Sequence, residues 1–104
     1  MVLVRGGEVL NDATMDDAAY IGLEKTARVV ESGVPVAGTV YAMMAEEAKE
    51  ALDEADVILA KGQGNYESLS GTGRHLFFSF LCKCEYFTKR FGVPPLTGML
   101  VEER

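Results

Sequence analysis

The chain has 104 residues, in which 16 Asp and Glu side chains outnumber 10 Lys and Arg side chains to give a net charge of −6. This length predicts one domain with a small core. The acidic balance, without any basic block, argues against nucleic acid as the main partner. No apolar run approaches the roughly 20 residues that span a bilayer, and no signal peptide is recognisable. We therefore expect a cytoplasmic protein without membrane contact.

The N-terminal part predicts a strand at 2–4, a helix at about 14–24 and a second strand at 27–30. Between the first strand and the helix lie Asn11 and Asp12, and either side chain is suited to cap the helix. Alternatively, Asp12 is a carboxylate at the C-terminal edge of a strand, where a hard metal ion would take oxygen ligands. Capping is the commoner use of such a residue, and both readings stay open.

The segment 39–55 has the clearest helical pattern, with an apolar stripe on one face and an acidic, solvated opposite face. The next strand is predicted at 57–60 and, being continuously apolar, is expected to be buried on both faces. Directly after this strand, the sequence reads Lys61-Gly62-Gln63-Gly64-Asn65-Tyr66-Glu67.

This glycine-rich stretch places a cation beside backbone that can approach a ligand closely, because Gly62 and Gly64 have no side chains. Asn65 is predicted to cap the following helix, with Glu67 in its first turn. A strand, a lysine in a glycine loop and a helix start can hold an anion such as phosphate. An ordinary tight turn with a surface lysine is an equally good reading of the spacing alone.

Toward the C-terminus, we predict a buried strand at 76–81, a helix at 85–91 that ends at Gly92, and a last strand at 96–101. Lys83 would lie at the same sheet edge as the earlier lysine, although an ordinary exposed charge is slightly preferred. The alternation of strands and helices predicts an α/β fold: a three-layer, Rossmann-like domain over 1–104, with flanking helices and a mostly parallel sheet.

The cysteines Cys82 and Cys84 form no disulfide framework, and with His75 as the single histidine a structural zinc site is not expected. We expect both cysteines to be small, buried thiols. His75 precedes an apolar run, so no Ser/His/Asp triad is convincing. Because no Gly-x-Gly-x-x-Gly follows the first strand, a dinucleotide-binding module is also disfavoured.

In a parallel sheet the C-terminal strand ends share one edge, which would gather Asn11, Asp12, the stretch 61–65 and Lys83. One carboxylate, one carboxamide and one or two lysines around glycine amides suit a metal-assisted reaction on a phosphate. One carboxylate is few for a divalent metal, however, so the site looks incomplete.

Two stretches of the sequence, 6–18 (Gly-Gly-Glu-Val-Leu-Asn-Asp-Ala-Thr-Met-Asp-Asp-Ala) and 55–69 with its Lys-Gly-Gln-Gly-Asn-Tyr-Glu core, resemble the damage-control phosphatase family. Relatives of that family have been described as protein-glutamate methyltransferase-like. The stretches 77–84 and 91–94 are also similar to the family, so the resemblance covers nearly the whole chain. It is strongest to the stand-alone prokaryotic branch. It implies a metal-dependent phosphatase that hydrolyses phosphomonoesters of small metabolites, such as sugar phosphates, with a divalent metal (Mn, Co, Ni or Mg) as cofactor.

The resemblance also implies roles for individual residues. Asp12 matches a metal ligand and Lys61 matches the lysine that contacts substrate phosphate, so both are the expected catalytic residues. The expected phosphate-binding residues, besides that lysine, are Asn11, Gly62, Gly64 and Asn65.

The family's early Asp-Asn-Ala-Gly-Glu stretch, which carries further metal ligands, is absent from the printed sequence. We therefore expect a partial domain that corresponds to the C-terminal part of the family domain. It would be incomplete without the missing segment, and would form a homo-oligomer or associate with the missing N-terminal half. The alternative is a non-catalytic module for anion binding or assembly, or a truncated remnant, which pairs with itself or with a partner chain.

Overall fold

A computed structural model describes residues 1–104. It has four α-helices and five strands in two sheets, so the α/β prediction is confirmed. The contacts divide the chain into two compact units, Met1–Ala55 and Asp56–Arg104. No helix in the chain combines the length and the apolar character needed to cross a membrane.

In the first unit, strand β1 (Val2–Val4) pairs in parallel with strand β2 (Val29–Glu31). Parallel neighbours need a crossover connection, which here contains helix α1 (Met15–Ile21) and a short 3₁₀ helix at Leu23–Lys25. Six apolar side chains form the buried core of this unit: Val4, Ala18, Val30, Met44, Ala48 and Leu52.

Helix α1 is capped by Thr14, and this corrects the expectation that Asn11 or Asp12 caps it. The backbone N–H of Thr14 donates to Asp17 Oδ2 over 2.8 Å, and the Thr14 hydroxyl donates to the same oxygen over 3.1 Å. A carboxylate in the first turn thus satisfies the donors that precede the helix. The side chain of Asp12 is left for another partner.

The predicted helix at 39–55 is wrong in its first half. The structure has a 3₁₀ turn at Tyr41–Met43, and helix α2 runs only over Glu46–Glu54. Met44 and Ala45 are extended, and the Ala45 N–H donates to the carbonyl of Ser32 over 3.1 Å. Because this segment pairs with the loop after β2, its backbone hydrogen bonds are satisfied by a bridge that helical periodicity cannot show.

The second unit contains a three-stranded sheet in the order β3 (Ile58–Lys61), β4 (Leu76–Cys82), β5 (Thr97–Glu103). The first two strands are parallel and the last two are antiparallel. Helix α3 (Gln63–Leu69) follows β3, and helix α4 (Glu85–Phe91) follows β4. The helix predicted at 85–91 is confirmed residue for residue.

Only one face of this sheet is buried. Along β4 the alternate side chains of Leu76, Phe78, Phe80 and Cys82 are at most 6% exposed. On the other face, Leu59 and Leu100 are each 72% exposed. The expectation that strand 57–60 is buried on both faces is therefore wrong. A four-residue apolar run does not distinguish a central strand from an edge strand.

Candidate functional site

The loop between β3 and α3 carries the predicted phosphate-binding residues. Lys61 ends β3 with an exposed side chain, and Gly62 follows at φ 100°, a conformation that disfavours any residue with a Cβ. The Gly62 N–H donates to the carbonyl of Ser79 over 2.8 Å, so the loop leaves the sheet at a fixed point. No atom lies within 4 Å of the position that a Cβ on Gly62 would occupy, which leaves room for a ligand beside the backbone.

Asn65 does not cap α3, which corrects its expected local role. The N-cap is Gly62, and Asn65 lies within the first turn of the helix, as does Gly64. The Asn65 side chain donates from Nδ2 to the carbonyl of Lys61 over 2.6 Å. Glu67 lies beyond the first turn and accepts from Gln63 Nε2 over 3.1 Å. Asn65 therefore stabilises the backbone of the lysine that the resemblance places at the phosphate.

Gln63 is a residue whose importance the sequence reasoning missed. Its Oε1 accepts a hydrogen bond from the backbone N–H of Lys83 over 3.0 Å and a longer one from Cys84 over 3.5 Å. The side chain thereby joins the loop after β3 to the loop after β4, at the C-terminal ends of the two parallel strands. The sequence signal that could have indicated this role is the position of a carboxamide side chain between two glycines at the end of a strand.

Two lysines at this edge have no partner. Lys61 and Lys83 are both exposed, and neither makes an ion pair or contacts an aromatic ring. The other cations of the second unit are engaged. Lys89 pairs with Glu85, Arg104 pairs with Glu102, Arg90 lies over two aromatic rings, and Arg74 also has a partner. Lys61 and Lys83, near the C-terminal ends of β3 and β4, are therefore the cations of this unit that have neither an ion-pair partner nor an aromatic one.

In the first unit, Asn11 and Asp12 lie in an exposed turn in which the Asp12 N–H donates to the carbonyl of Val9 over 3.0 Å. Leu10, within this turn, has φ 48° and is 98% exposed, an uncommon conformation for a residue with a bulky side chain. The carboxylate of Asp12 accepts from Arg5 Nε over 3.0 Å.

Arg5 fixes this carboxylate from a buried position. Its side chain is only 10% exposed, and it also donates from Nη1 to the carbonyl of Gly38. The orientation of Asp12 is therefore set by a guanidinium that is itself anchored, and one carboxylate oxygen, Oδ1, makes no hydrogen bond with the protein.

These residues do not by themselves compose a metal site. No group of three or more His, Cys, Asp or Glu side chains is placed to hold a metal ion. The imidazole of His75 instead contacts Glu102 over 2.9 Å, and hydrogen bonds from His75 and then Arg104 lower the pKa of the Glu102 carboxyl. Cys82 is buried, whereas Cys84 is exposed, contrary to the expectation of two buried thiols.

The family model described as the damage-control phosphatase ARMT1-like domain matches residues 1–96. The chain belongs to this family. A damage-control phosphatase of Pyrococcus horikoshii is 39% identical over 89 residues, which cover 85% of this chain and 31% of the relative. A damage-control phosphatase of Archaeoglobus fulgidus is 37% identical over 93 residues, covering 88% of this chain and 32% of the relative. The chain thus spans about a third of the length of these damage-control phosphatases.

A solved structure agrees with this assignment. The crystal structure of the Pyrococcus horikoshii protein, described as a DUF89 family protein, superposes with a TM-score of 0.90 at 34% sequence identity. The match covers 98% of this chain and 36% of that chain. The resemblance seen in the sequence is confirmed, and the backbone described above is one that damage-control phosphatases use.

Proposed function

We propose that this chain is the phosphate-binding part of a metal-dependent phosphatase that hydrolyses phosphomonoesters of small metabolites such as sugar phosphates. Family membership supports the reaction class. The observation that carries the proposal is the unpartnered, exposed Lys61 at the end of β3, followed by the open backbone of Gly62. This is the position at which ligands of α/β sheets bind.

At this position the ammonium group of Lys61 would attract the phosphate and stabilise the negative charge that develops on its oxygens. The adjacent backbone of Gly62 and Gly64 allows close approach of the ligand, and Asn65 holds the lysine carbonyl so that the loop does not need to reorganise. Asn11 is included among the proposed phosphate-binding residues on the grounds of the family resemblance.

The divalent metal, whether Mn, Co, Ni or Mg, belongs to the proposal on family grounds. Asp12 is the ligand that this chain would supply, through the carboxylate oxygen that Arg5 leaves free. One carboxylate is few for a catalytic divalent ion, which usually takes one or two carboxylates together with waters and substrate phosphate. We therefore propose that the remaining ligands come from a second copy of the chain or from additional polypeptide, so that the active species is an assembly.

A second candidate function is a non-catalytic module that binds an anion and takes part in assembly. The lack of any three-ligand cluster in the chain favours it. Under this hypothesis the lysines at the sheet edge still bind phosphate, but no hydrolysis follows.

The test is hydrolysis of an aryl phosphate by the purified 104-residue chain, with manganese or cobalt and with chelator. We expect metal-dependent turnover that Asp12→Asn abolishes. Lys61→Ala should lower turnover by about 100-fold, the range for losing one electrostatic contact to a transition state. Glu46→Ala, on the exposed face of α2, is the matched control and should leave turnover unchanged.

Near-normal turnover in the Asp12 and Lys61 variants would refute the site assignment. Turnover that is absent from a folded sample, together with phosphate binding that requires Lys61, would mean that a second copy of the chain does not complete the site and that essential ligands must come from additional polypeptide.

A further inference from the structure

Lys61 and Lys83 lie near the C-terminal ends of the neighbouring parallel strands β3 and β4. Lys61 pairs in register with Ser79 of β4, and side chains of paired residues project to the same side. Ser79 is exposed on this side, and Lys83 directly follows β4. Two lysines without an ion-pair partner thus lie near the C-terminal ends of neighbouring parallel strands.

The carboxamide of Gln63 connects these two lysines structurally. Its oxygen accepts from the N–H groups of Lys83 and Cys84, while its nitrogen donates to Glu67. A carboxamide can accept on its oxygen and donate from its nitrogen, as this arrangement requires. A carboxylate at this position would face Glu67 without a donor, and an apolar side chain would leave the N–H of Lys83 without its partner.

We infer that Lys83 is a second cation of the phosphate site and that Gln63 is the positioning residue that holds it there. This inference rests on the proposed function, because it assumes that phosphate binds at Lys61. A phosphate dianion carries more charge than one ammonium neutralises, and lysine acts on phosphate as a flexible point charge. In a chain of net charge −6, two free lysines on one sheet edge give an anion a local attraction that the rest of the chain does not offer.

The experiment is an NMR titration of the ¹⁵N-labelled 104-residue chain with inorganic phosphate at low ionic strength. We expect phosphate to shift the amide signals of residues 61–65 and of 83–84. Lys83→Ala should weaken the apparent affinity about tenfold, the equivalent of one charge-assisted contact. Lys89→Ala is the matched control: it removes an exposed lysine that is already paired with Glu85, and should change the affinity less than about twofold.

The role of Gln63 is tested by the coupling between variants. Gln63→Leu should weaken phosphate binding as much as Lys83→Ala does, and the double variant should be no weaker than either single one, because both remove the same contact. Glu67→Ala is the control, since it removes only the hydrogen bond from the carboxamide nitrogen and should leave the affinity unchanged. Lys83→Arg should restore most of the affinity. If Gln63 had only a structural role, the two losses would add.

The outcomes separate this inference from the proposed function. If Lys83→Ala binds phosphate like Lys89→Ala while Lys61→Ala abolishes binding, the role of Lys83 is refuted and the Lys61 site stands. If phosphate shifts no signal at 61–65 in the unaltered chain, both proposals fail. Should Lys83→Ala lose its dispersed spectrum, Lys83→Gln, which keeps a polar side chain that is one bond shorter, carries the same test.

Discussion

Tyr66 connects the glycine-rich loop to the core of the second unit, and its removal is the sharpest test of that packing. The residue belongs to helix α3 and is 3% exposed. Its ring centroid lies 5.0 Å from those of Phe78 and Phe80, 5.4 Å from Phe87 and 5.7 Å from Phe91. The pairs with Phe78, Phe87 and Phe91 are edge-to-face, and such contacts are favourable beyond the area that they bury.

The expected cost of Tyr66→Ala follows from this burial. An aromatic side chain buries roughly 150–250 Å², which at about 25 cal/mol per Å² corresponds to roughly 4–6 kcal/mol. A compact denatured state reduces this by about 10–40%, to roughly 2–5 kcal/mol. Domains are stable by about 5–15 kcal/mol, so this single change should remove a large share of the total.

The assay is urea unfolding, followed through the NMR amide signals of residues 56–104, with linear extrapolation of the free energy of unfolding. Tyr86→Ala is the matched control, because Tyr86 lies on α4, is 65% exposed and packs against a single ring, that of Phe87. We expect the control to cost less than about 1.5 kcal/mol. Tyr66→Phe, which keeps the ring, should cost less than about 1.5 kcal/mol.

The reasoning would be refuted if Tyr66→Ala cost no more than Tyr86→Ala. That result would mean that the aromatic cluster does not hold α3, and that another contact fixes the loop that precedes it.

Three further predictions concern stability. Arg5→Ala should lower the free energy of unfolding in urea by about 1–3 kcal/mol, because the Arg5 side chain is only 10% exposed and donates to both a carboxylate and a backbone carbonyl. Arg28 is exposed and paired with Glu47, so Arg28→Ala should cost less than about 1 kcal/mol. The folded-state pKa of Glu102 lies below its ordinary value of 4.5, so the ionised carboxylate contributes fully to the free energy of unfolding above pH 4.5. This contribution is lost as the pH falls through the folded-state pKa. The free energy of unfolding, measured as the pH is lowered, should therefore fall less in Glu102→Gln than in the unaltered chain. Gly6→Ala should prevent stable folding in a circular dichroism melt, because the new Cβ would lie 1.5 Å from a backbone oxygen, whereas Gly98→Ala meets no atom within 4 Å and should leave the melting temperature nearly unchanged.

The sequence by itself determined the α/β class, the family and the elements whose signals are local. Helix 85–91 was predicted correctly because its apolar spacing and the following Gly92, which takes φ 64°, are encoded within a few neighbouring residues. The strand at 76–81 was also predicted, since a short, dense run of apolar and aromatic residues is typical of a buried strand. The family resemblance rested on 6–18 and 55–69, and the match of residues 1–96 to the family model confirms that resemblance.

The tertiary structure decided which partner each polar side chain takes. Asp12 binds Arg5 because a turn brings the two together, and Gln63 accepts from Lys83 because two parallel strands end side by side. In the same way, the helix predicted from residue 39 begins only after Ala45, whose N–H is paired with a distant carbonyl. Each of these contacts joins residues that periodicity treats as independent. They depend on strand pairing and loop closure, which place distant backbone groups within hydrogen-bonding distance and which no local pattern records.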